Sequence, residues 1–205
     1  MKTISIALAI AFIFWSIIFS PFSPVRFNFW VELCAASAIL AAIGVVSQKG
    51  SSKELYYFRP LHIIVGIISA AVLYLIFLAG NYMLIHVSAS SQAQIADVYK
   101  TRTQAPAGVI AFFLLVWIGP AEEIFWRGFI QQRLSRFFGS VSGYLMAAFL
   151  YAIVHVFSWN LPLFLAALTA GLFWGWLFRK YKSIWPCVIS HSLWDAAIFV
   201  FFPIG

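Results

Sequence analysis

Seven long apolar runs alternate with short polar segments along the chain. The runs cover residues 3–20, 29–47, 61–80, 107–126, 141–158, 161–179 and 184–202. A helix needs about 20 mostly apolar residues to cross a bilayer, and the runs do not alternate in polarity as the strands of a transmembrane barrel do. We therefore predict an all-α fold, a polytopic membrane helix bundle of about seven transmembrane helices. Residues 1–205 should form a single integral-membrane domain.

The composition agrees with this interpretation. Of the 205 residues, 63% are hydrophobic and 9% are charged, and the mean hydropathy is +0.95. Soluble domains are about 45–50% apolar and about 25% charged, so a water-soluble domain is excluded. The net charge of +7 would suggest nucleic-acid binding in a soluble protein. Here the basic residues lie between apolar runs, which predicts the lipid bilayer as a partner and no nucleic acid. Cys34 and Cys187 lie inside runs, where free buried thiols are expected.

The basic residues also predict the orientation of the bundle. With the N-terminus inside and the C-terminus outside, three of the 13 Lys and Arg residues fall outside, namely Arg26, Lys100 and Arg102. The other ten fall inside: Lys2, Lys49, Lys53, Arg59, Arg127, Arg133, Arg136, Arg179, Lys180 and Lys182. Because cytoplasmic loops carry the excess of Lys and Arg, we predict a cytoplasmic N-terminus and an external C-terminus. The small size and this bias favour a prokaryotic plasma membrane.

Three further segments carry predictions. The first run follows Lys2 as a signal peptide would, but it is long and lacks an A-x-A cleavage site, so we predict a retained helix. Residues 127–138 should continue the fourth helix as an amphipathic stretch at the cytoplasmic interface. Residues 88–105, the longest hydrophilic segment, should form a polar loop outside. We expect Glu32 to form an interfacial salt bridge with Arg26.

Carboxylates inside the apolar runs are the first indication of a functional site. Four of the six acidic residues lie there: Glu32, Glu122, Glu123 and Asp195. A charge at the centre of a membrane costs about 2.5–3.5 kcal/mol on insertion scales, so such groups face a protein interior or a wet cavity. The spacing of Glu123 and Arg127 predicts a helical ion pair. Glu122, about 100° further round the helix, is then available as a general base. An inert ion pair that fixes helix packing is the alternative.

Two histidines lie in the later runs. His155 is in the fifth run, and His191 lies one helical turn before Asp195, which can orient its imidazole. Glu123 and His155 are each 16 residues from Gly139 in sequence, so a hairpin turning there places them at one level of the membrane. The last helix can bring its His–Asp pair to a similar depth. We therefore predict one cavity that these side chains share.

This set of side chains supports hydrolysis in two ways. Glu122 and His155 could activate a water while His191 and Asp195 stabilise the oxyanion. Alternatively, Glu122, His155 and His191 could bind Zn²⁺, which would activate the water. The residues alone leave both open. The chain lacks H-E-x-x-H and the glycine-containing signatures of aspartyl and rhomboid-like intramembrane proteases, and no serine or cysteine has a recognisable nucleophile setting.

The order E-E-x-x-x-R, F-x-x-x-H and H-x-x-x-N/D resembles the CPBP (Abi) family of intramembrane proteases. That family includes the type II CAAX prenyl endopeptidases and bacteriocin-processing or self-immunity proteins. The matching residues are Glu122, Glu123 and Arg127, then His155, then His191 and Asp195. The resemblance spans roughly residues 107–200, so the catalytic helices should lie within residues 107–202. Tyr151 departs from the usual Phe, which should change a hydrogen bond, and Asp195 removes a neutral amide donor.

The resemblance implies an endopeptidase that acts on a peptide or membrane-protein substrate. It implies Glu122 as the base with His155, and His191 with Asp195 on the oxyanion side. The family has been described both as metalloproteases and as metal-independent glutamate proteases. Because no two histidines share the tight spacing of a helical zinc pair, we favour no cofactor. A catalytically idle scaffold or immunity protein with a membrane-protein partner is the main alternative. A proton-coupled transporter is less favoured, since no half-repeats are evident. Substrate-binding residues are not assigned.

Overall fold

The computed structural model describes residues 2–23, 27–48 and 54–204. Every regular element within these ranges is helical, which confirms the all-α prediction. In chain order the helices are α1 Lys2–Phe19, α2 Phe29–Ser47, α3 Pro60–Val87, α4 Ala89–Tyr99, α5 Ala107–Phe138, α6 Ser140–Ser158, α7 Leu161–Tyr181 and α8 Trp185–Phe201. A short 3₁₀ turn, Lys100–Gln104, follows α4.

Six of these helices are long and apolar enough to cross a membrane: α1, α2, α3, α5, α6 and α7. The seventh predicted run forms α8, which is apolar but shorter. The protein is therefore a polytopic membrane bundle, as the apolar runs predict. Large side chains on α3, such as Ile64 and Leu75, are more than half exposed and suit contact with lipid. The largest fully buried side chains include several tryptophans, among them Trp15, Trp126 and Trp174.

Because successive spans alternate in direction, the bundle has two ends. The first end is the end of the bundle at which α1, α3, α6 and α8 begin and α2, α5 and α7 end. Hydrogen bonds join the segment before α3 to the start of α8 there: Trp185 Nε1 donates to Tyr56 O at 2.9 Å and Ile184 N donates to Leu55 O at 3.1 Å. The second end is the opposite one, where α4 and the 3₁₀ turn lie.

The prediction of a polar loop over residues 88–105 is wrong, because this segment forms α4 and the 3₁₀ turn. Contacts with distant parts of the chain hold it in place. Asn160 Nδ2 donates to Gln94 O at 2.6 Å, and Trp30 Nε1 donates to Thr101 O at 2.9 Å. The segment's own sequence is too polar to show a helical apolar stripe, so its order depends on these tertiary contacts.

Some sequence predictions fall beyond the described residues. Arg26, Lys49 and Lys53 lie outside them, so the predicted Glu32–Arg26 salt bridge is not described. Glu32 instead has a defined local partner, since its Oε1 accepts a hydrogen bond from the backbone N–H of Phe27 at 2.9 Å.

Helix α5 is irregular where the acidic pair lies. Two π-helical stretches, Leu114–Ile118 and Ile124–Gln131, flank the short α-helical segment Gly119–Glu123. Pro120 lies in that segment and lacks a backbone donor, and π turns are frequent at functional sites. The helix continues to Phe138, as predicted, and stops at Gly139, whose φ is 86°. However, residues 127–131 are buried, so the expected interfacial stretch begins only after them.

Candidate active site

A close approach of α5 and α8 brings the motif residues together. A Cβ atom built on Gly119 would lie 2.5 Å from Ser192 Oγ and 3.1 Å from Ser192 Cα. Only glycine leaves room for α8 at this point. The contact lies one turn before Glu123 and next to His191, so the acidic pair of α5 and the histidine of α8 become neighbours.

Glu123 is the centre of a buried charge network. Its side chain is fully buried, and Oε1 accepts a hydrogen bond from Arg127 Nη1 at 2.8 Å. The same oxygen lies 2.7 Å from His191 Nδ1. The ion pair predicted from the spacing is therefore confirmed. Arg127 itself is 2% exposed, so its place among the cytoplasmic basic residues in the orientation count is wrong. It is an interior group that Glu123 compensates.

Aromatic rings enclose this network. The His191 ring stacks on the Trp174 ring with centroids 3.8 Å apart and planes 20° apart. The Arg127 Cζ atom lies 4.8 Å from the centre of the Tyr151 ring and 5.3 Å from that of Trp174. Cation–π contacts of this kind stabilise a buried guanidinium. The rings fix the positions of Arg127 and His191, the two partners of Glu123.

His191 also reaches Asp195, its neighbour one turn later on α8. The distance from His191 Nε2 to Asp195 Oδ2 is 3.4 Å, longer than a usual N–H···O hydrogen bond of about 2.7–3.2 Å. His191 thus has a short contact to Glu123 through one nitrogen and a looser one to Asp195 through the other.

His155 has a partner on each ring nitrogen. It lies in the 3₁₀ turn Val154–Ser158 that ends α6. Nε2 accepts a hydrogen bond from Trp15 Nε1 at 3.2 Å, and Nδ1 lies 2.8 Å from Tyr151 O. An indole N–H can only donate, so Nε2 is the acceptor and Nδ1 carries the proton given to the Tyr151 carbonyl. The contacts therefore define the tautomer of this imidazole.

Trp15 is a site residue that sequence reasoning missed. It comes from α1, is fully buried, and packs edge-to-face on His155 with ring centroids 6.1 Å apart. The chain has nine tryptophans, and no spacing singles this one out, since it lies 140 positions from His155. Phe19 also packs on His155 with centroids 5.2 Å apart. Helix α1 is therefore part of the site although it carries none of the motifs.

Trp15→Phe should release His155 while leaving the ring packing largely intact. Without the indole donor, Nε2 is no longer held as an acceptor, so the two neutral tautomers should mix. ¹⁵N NMR of histidine-labelled protein should show the His155 signals move. Trp30→Phe is the matched control, because its indole donates to Thr101 O and not to His155. Unchanged His155 signals in Trp15→Phe would contradict the assignment.

A cavity of about 670 Å³ brings four of the six predicted residues together. Glu122, His155, His191 and Asp195 all line it. Glu123 and Arg127 are absent from the lining and lie behind His191. Tyr151 also lines the cavity, beside Glu122. The changed hydrogen bond expected from Tyr in place of Phe stays a prediction.

Glu122 differs from Glu123 in facing the cavity. Oε2 of each carboxylate has no hydrogen-bond partner among the described residues, but only Glu122, which is 7% exposed, lines the cavity. Arg127, which pairs with Glu123, has no such contact with Glu122. A buried polar atom without a partner costs about 1–3 kcal/mol. A water molecule or a substrate N–H in the cavity can therefore stabilise Glu122 Oε2 by donating a hydrogen bond to it.

The three candidate zinc ligands, Glu122, His155 and His191, do not fit a metal site in this arrangement. A metal needs a free lone pair on each imidazole. His155 uses Nε2 to accept from Trp15, and both nitrogens of His191 contact carboxylates. Among the described residues, no group of three His, Cys, Asp or Glu side chains has the geometry to hold a metal ion.

The fold and this site together define a polytopic membrane protein with a buried carboxylate–histidine centre. Residues 104–197, which contain all six motif residues, match the family model described as type II CAAX prenyl endopeptidase Rce1-like. The resemblance to the CPBP family of intramembrane proteases is confirmed over this segment. The comparisons with curated proteins and with solved structures give no match. Helices α1 to α4 lie outside the matched residues.

Proposed function

We propose that the protein is an intramembrane endopeptidase that hydrolyses a peptide bond with water activated by Glu122. One observation carries the proposal: a carboxylate with an unpartnered oxygen and two oriented imidazoles line a single cavity between membrane helices. An ion pair that served only to fix helix packing would need Glu123 and Arg127 alone. The family match supports peptide-bond hydrolysis as the reaction.

Glu122 is the base in this proposal. Its Oε2 can accept the proton of a water molecule that attacks the substrate carbonyl. Tyr151 lines the same cavity, and its hydroxyl can orient the carboxyl group or the water. His155 is held by Trp15 and by the Tyr151 carbonyl. Because both of its ring nitrogens are engaged in this way, His155 forms an oriented part of the cavity wall, and Glu122 takes the proton of the water.

His191 is the donor on the oxyanion side. Asp195 as a carboxylate only accepts hydrogen bonds, so it cannot supply the donor that an amide would supply. His191 lines the cavity, and its Nε2 has the long 3.4 Å contact to Asp195 Oδ2. Because Nδ1 donates to Glu123, Nε2 carries a proton in the imidazolium form of His191, and in that form it can also donate to an oxygen that gains negative charge during the reaction. Glu123 fixes the ring from behind through Nδ1.

The mechanism that these contacts support uses no metal ion. Zinc bound by Glu122, His155 and His191 would have to displace the Trp15 donor and one carboxylate contact of His191. In the protein, the ring nitrogens of His155 and His191 instead already have hydrogen-bonding partners. We propose a glutamate-type hydrolase on this basis.

The orientation predicted from the sequence is kept as part of the proposal. Seven described basic residues lie at the first end: Lys2, Arg59, Arg133, Arg136, Arg179, Lys180 and Lys182. At the second end the described basic residues are Lys100 and Arg102. This bias supports a cytoplasmic first end, and with it a cytoplasmic N-terminus and an external C-terminus, in a prokaryotic plasma membrane. The substrate is a peptide or membrane protein, of CAAX type or a leader peptide.

Peptide hydrolysis by the purified protein tests the proposed function. The protein, in lipid vesicles made leaky to peptides, is incubated with a peptide library in ¹⁸O-enriched water and excess chelator, and its metal content is measured. We expect products whose new C-termini carry ¹⁸O, formed at the same rate with and without chelator. Activity that chelator removes and zinc restores would contradict the metal-free mechanism. No cleavage of any peptide by folded protein would contradict the enzyme and favour the scaffold.

A further inference from the structure

The cavity extends from the active site toward the second end of the bundle. Polar residues that line its outer part lie in the segments that connect helices there: Ser20, Gln94, Asn160 and Gln104. The inner wall is formed by Glu122, His155 and His191. A substrate that enters among these polar groups can keep its backbone hydrated until it reaches Glu122.

A packed aromatic layer closes the opposite side. Trp126 and Phe129 follow Glu122 on α5 toward the first end, and Trp174 lies beyond the cavity-lining part of α7. All three are at most 1% exposed. Trp174 also stacks on His191. A polypeptide arriving from the first end would have to break this layer before it met the acidic pair.

The two ends differ in charge, as the orientation argument requires. The first end carries seven described basic residues and the second carries two, of which Lys100 is paired with Asp97 at 2.5 Å. Under the positive-inside rule the first end is cytoplasmic. The open side of the active site then faces away from the cytoplasm.

We propose that the substrate is a polypeptide segment presented on the outer side of the membrane, which enters the cavity through the second end. This inference rests on the proposed function and names the substrate by the side from which it comes. It disfavours a cytoplasmic prenylated C-terminus, which would meet the closed layer, and favours chains that are exported or that reach the cell from outside.

Cysteine labelling tests the path without depending on catalysis. In a Cys34→Ala background, single cysteines are placed inside the cavity (Ala166→Cys), at the second end (Thr103→Cys) and at the first end (Glu54→Cys). Intact spheroplasts are treated with a membrane-impermeant maleimide. We expect Ala166→Cys and Thr103→Cys to react from outside, and Glu54→Cys to react only after lysis. The parent with buried Cys187 alone sets the background.

Each other labelling result overturns the proposal. Reaction of Glu54→Cys from outside would reverse the orientation. Reaction of Ala166→Cys only after lysis would place the entrance on the cytoplasmic side. No reaction of Ala166→Cys from either side, with Leu163→Cys equally inert, would show a cavity closed to polar molecules. Failure of the proposed function would leave the expected labelling pattern unchanged, so the two failures are distinguishable.

Sidedness of cleavage gives a second readout. A soluble peptide that the purified protein cuts is added to right-side-out and to inverted sealed vesicles prepared from the same cells. We expect cleavage in the right-side-out vesicles, and in the inverted ones only after lysis. Cleavage by sealed inverted vesicles alone would overturn the proposed entrance.

Discussion

Glu122→Gln is expected to lower the rate of peptide hydrolysis by about 10²–10⁴-fold, the usual contribution of a positioned general base. The amide keeps the size of the side chain but cannot take a proton from water. Because Arg127 and His191 pair with Glu123 and not with Glu122, the buried charge network should stay intact and the protein should remain folded. The initial rate at matched concentrations of folded protein measures the effect.

Glu54→Gln is the matched control for this variant. Glu54 undergoes the same chemical change, but it is exposed at the first end and outside the cavity. Its rate should equal that of the wild type. Wild-type hydrolysis by Glu122→Gln would show that another group activates the water. If both variants also kept full biological activity without any hydrolysis, the scaffold function would be supported.

Glu123→Gln is expected to destabilise the protein by about 3–5 kcal/mol, the cost of removing one partner of a buried ion pair. Arg127 and His191 are 2% and 3% exposed, so neither can recover its lost interaction from water. The change in unfolding free energy can be measured by denaturant titration in detergent micelles. Loss of folded protein during purification would be the extreme form of the same result.

An exposed ion pair supplies the control for Glu123→Gln. Asp97 and Lys100 have side chains that are 59% and 77% exposed, and exposed pairs contribute about 0–1 kcal/mol. Asp97→Asn should therefore change stability little. In addition, Glu123→Gln combined with Arg127→Gln should cost less than the sum of the two single changes, since it removes both charges. Additive costs would show that the pair is not coupled.

The helices are well predicted by the sequence because a membrane span has a strong local signal. The run 29–47 coincides with α2, and 161–179 is extended by only two residues in α7. The run 61–80 stops early because polar residues such as Asn81 follow, although α3 continues to Val87. Hydropathy measures the apolar length, whereas a helix ends where its backbone hydrogen bonding ends. The same difference explains why the polar sequence of α4 predicts a loop.

The motif residues are also accessible from the sequence. Carboxylates are costly in apolar helices, and this cost singles out Glu122, Glu123 and Asp195 together with Glu32. The spacing of Glu123 and Arg127 predicts their ion pair, and the structure pairs Arg127 with Glu123 as expected. Such predictions succeed because they depend on residues four apart on one helix.

The surroundings of the site depend on contacts between distant helices. The second partner of Glu123 is His191, 68 positions away, and the donor to His155 is Trp15, 140 positions away. The close approach of Gly119 and Ser192 that allows the first contact is a matter of helix packing. Hydropathy and local spacing contain no information about which of nine tryptophans faces a histidine. These contacts between distant helices nevertheless fix the tautomer of His155 and determine whether its ring can bind a metal ion.

The central claim is that three helices bring Glu122, His155 and His191 to one cavity that admits water and holds no zinc. An experimental density map of the purified protein, with anomalous data at the zinc edge, tests it most directly. The account predicts the three side chains around one cavity, Trp15 beside His155, a water molecule hydrogen-bonded to Glu122, and no anomalous peak. A metal ion ligated by these side chains, or their placement on separate surfaces of the bundle, would contradict it.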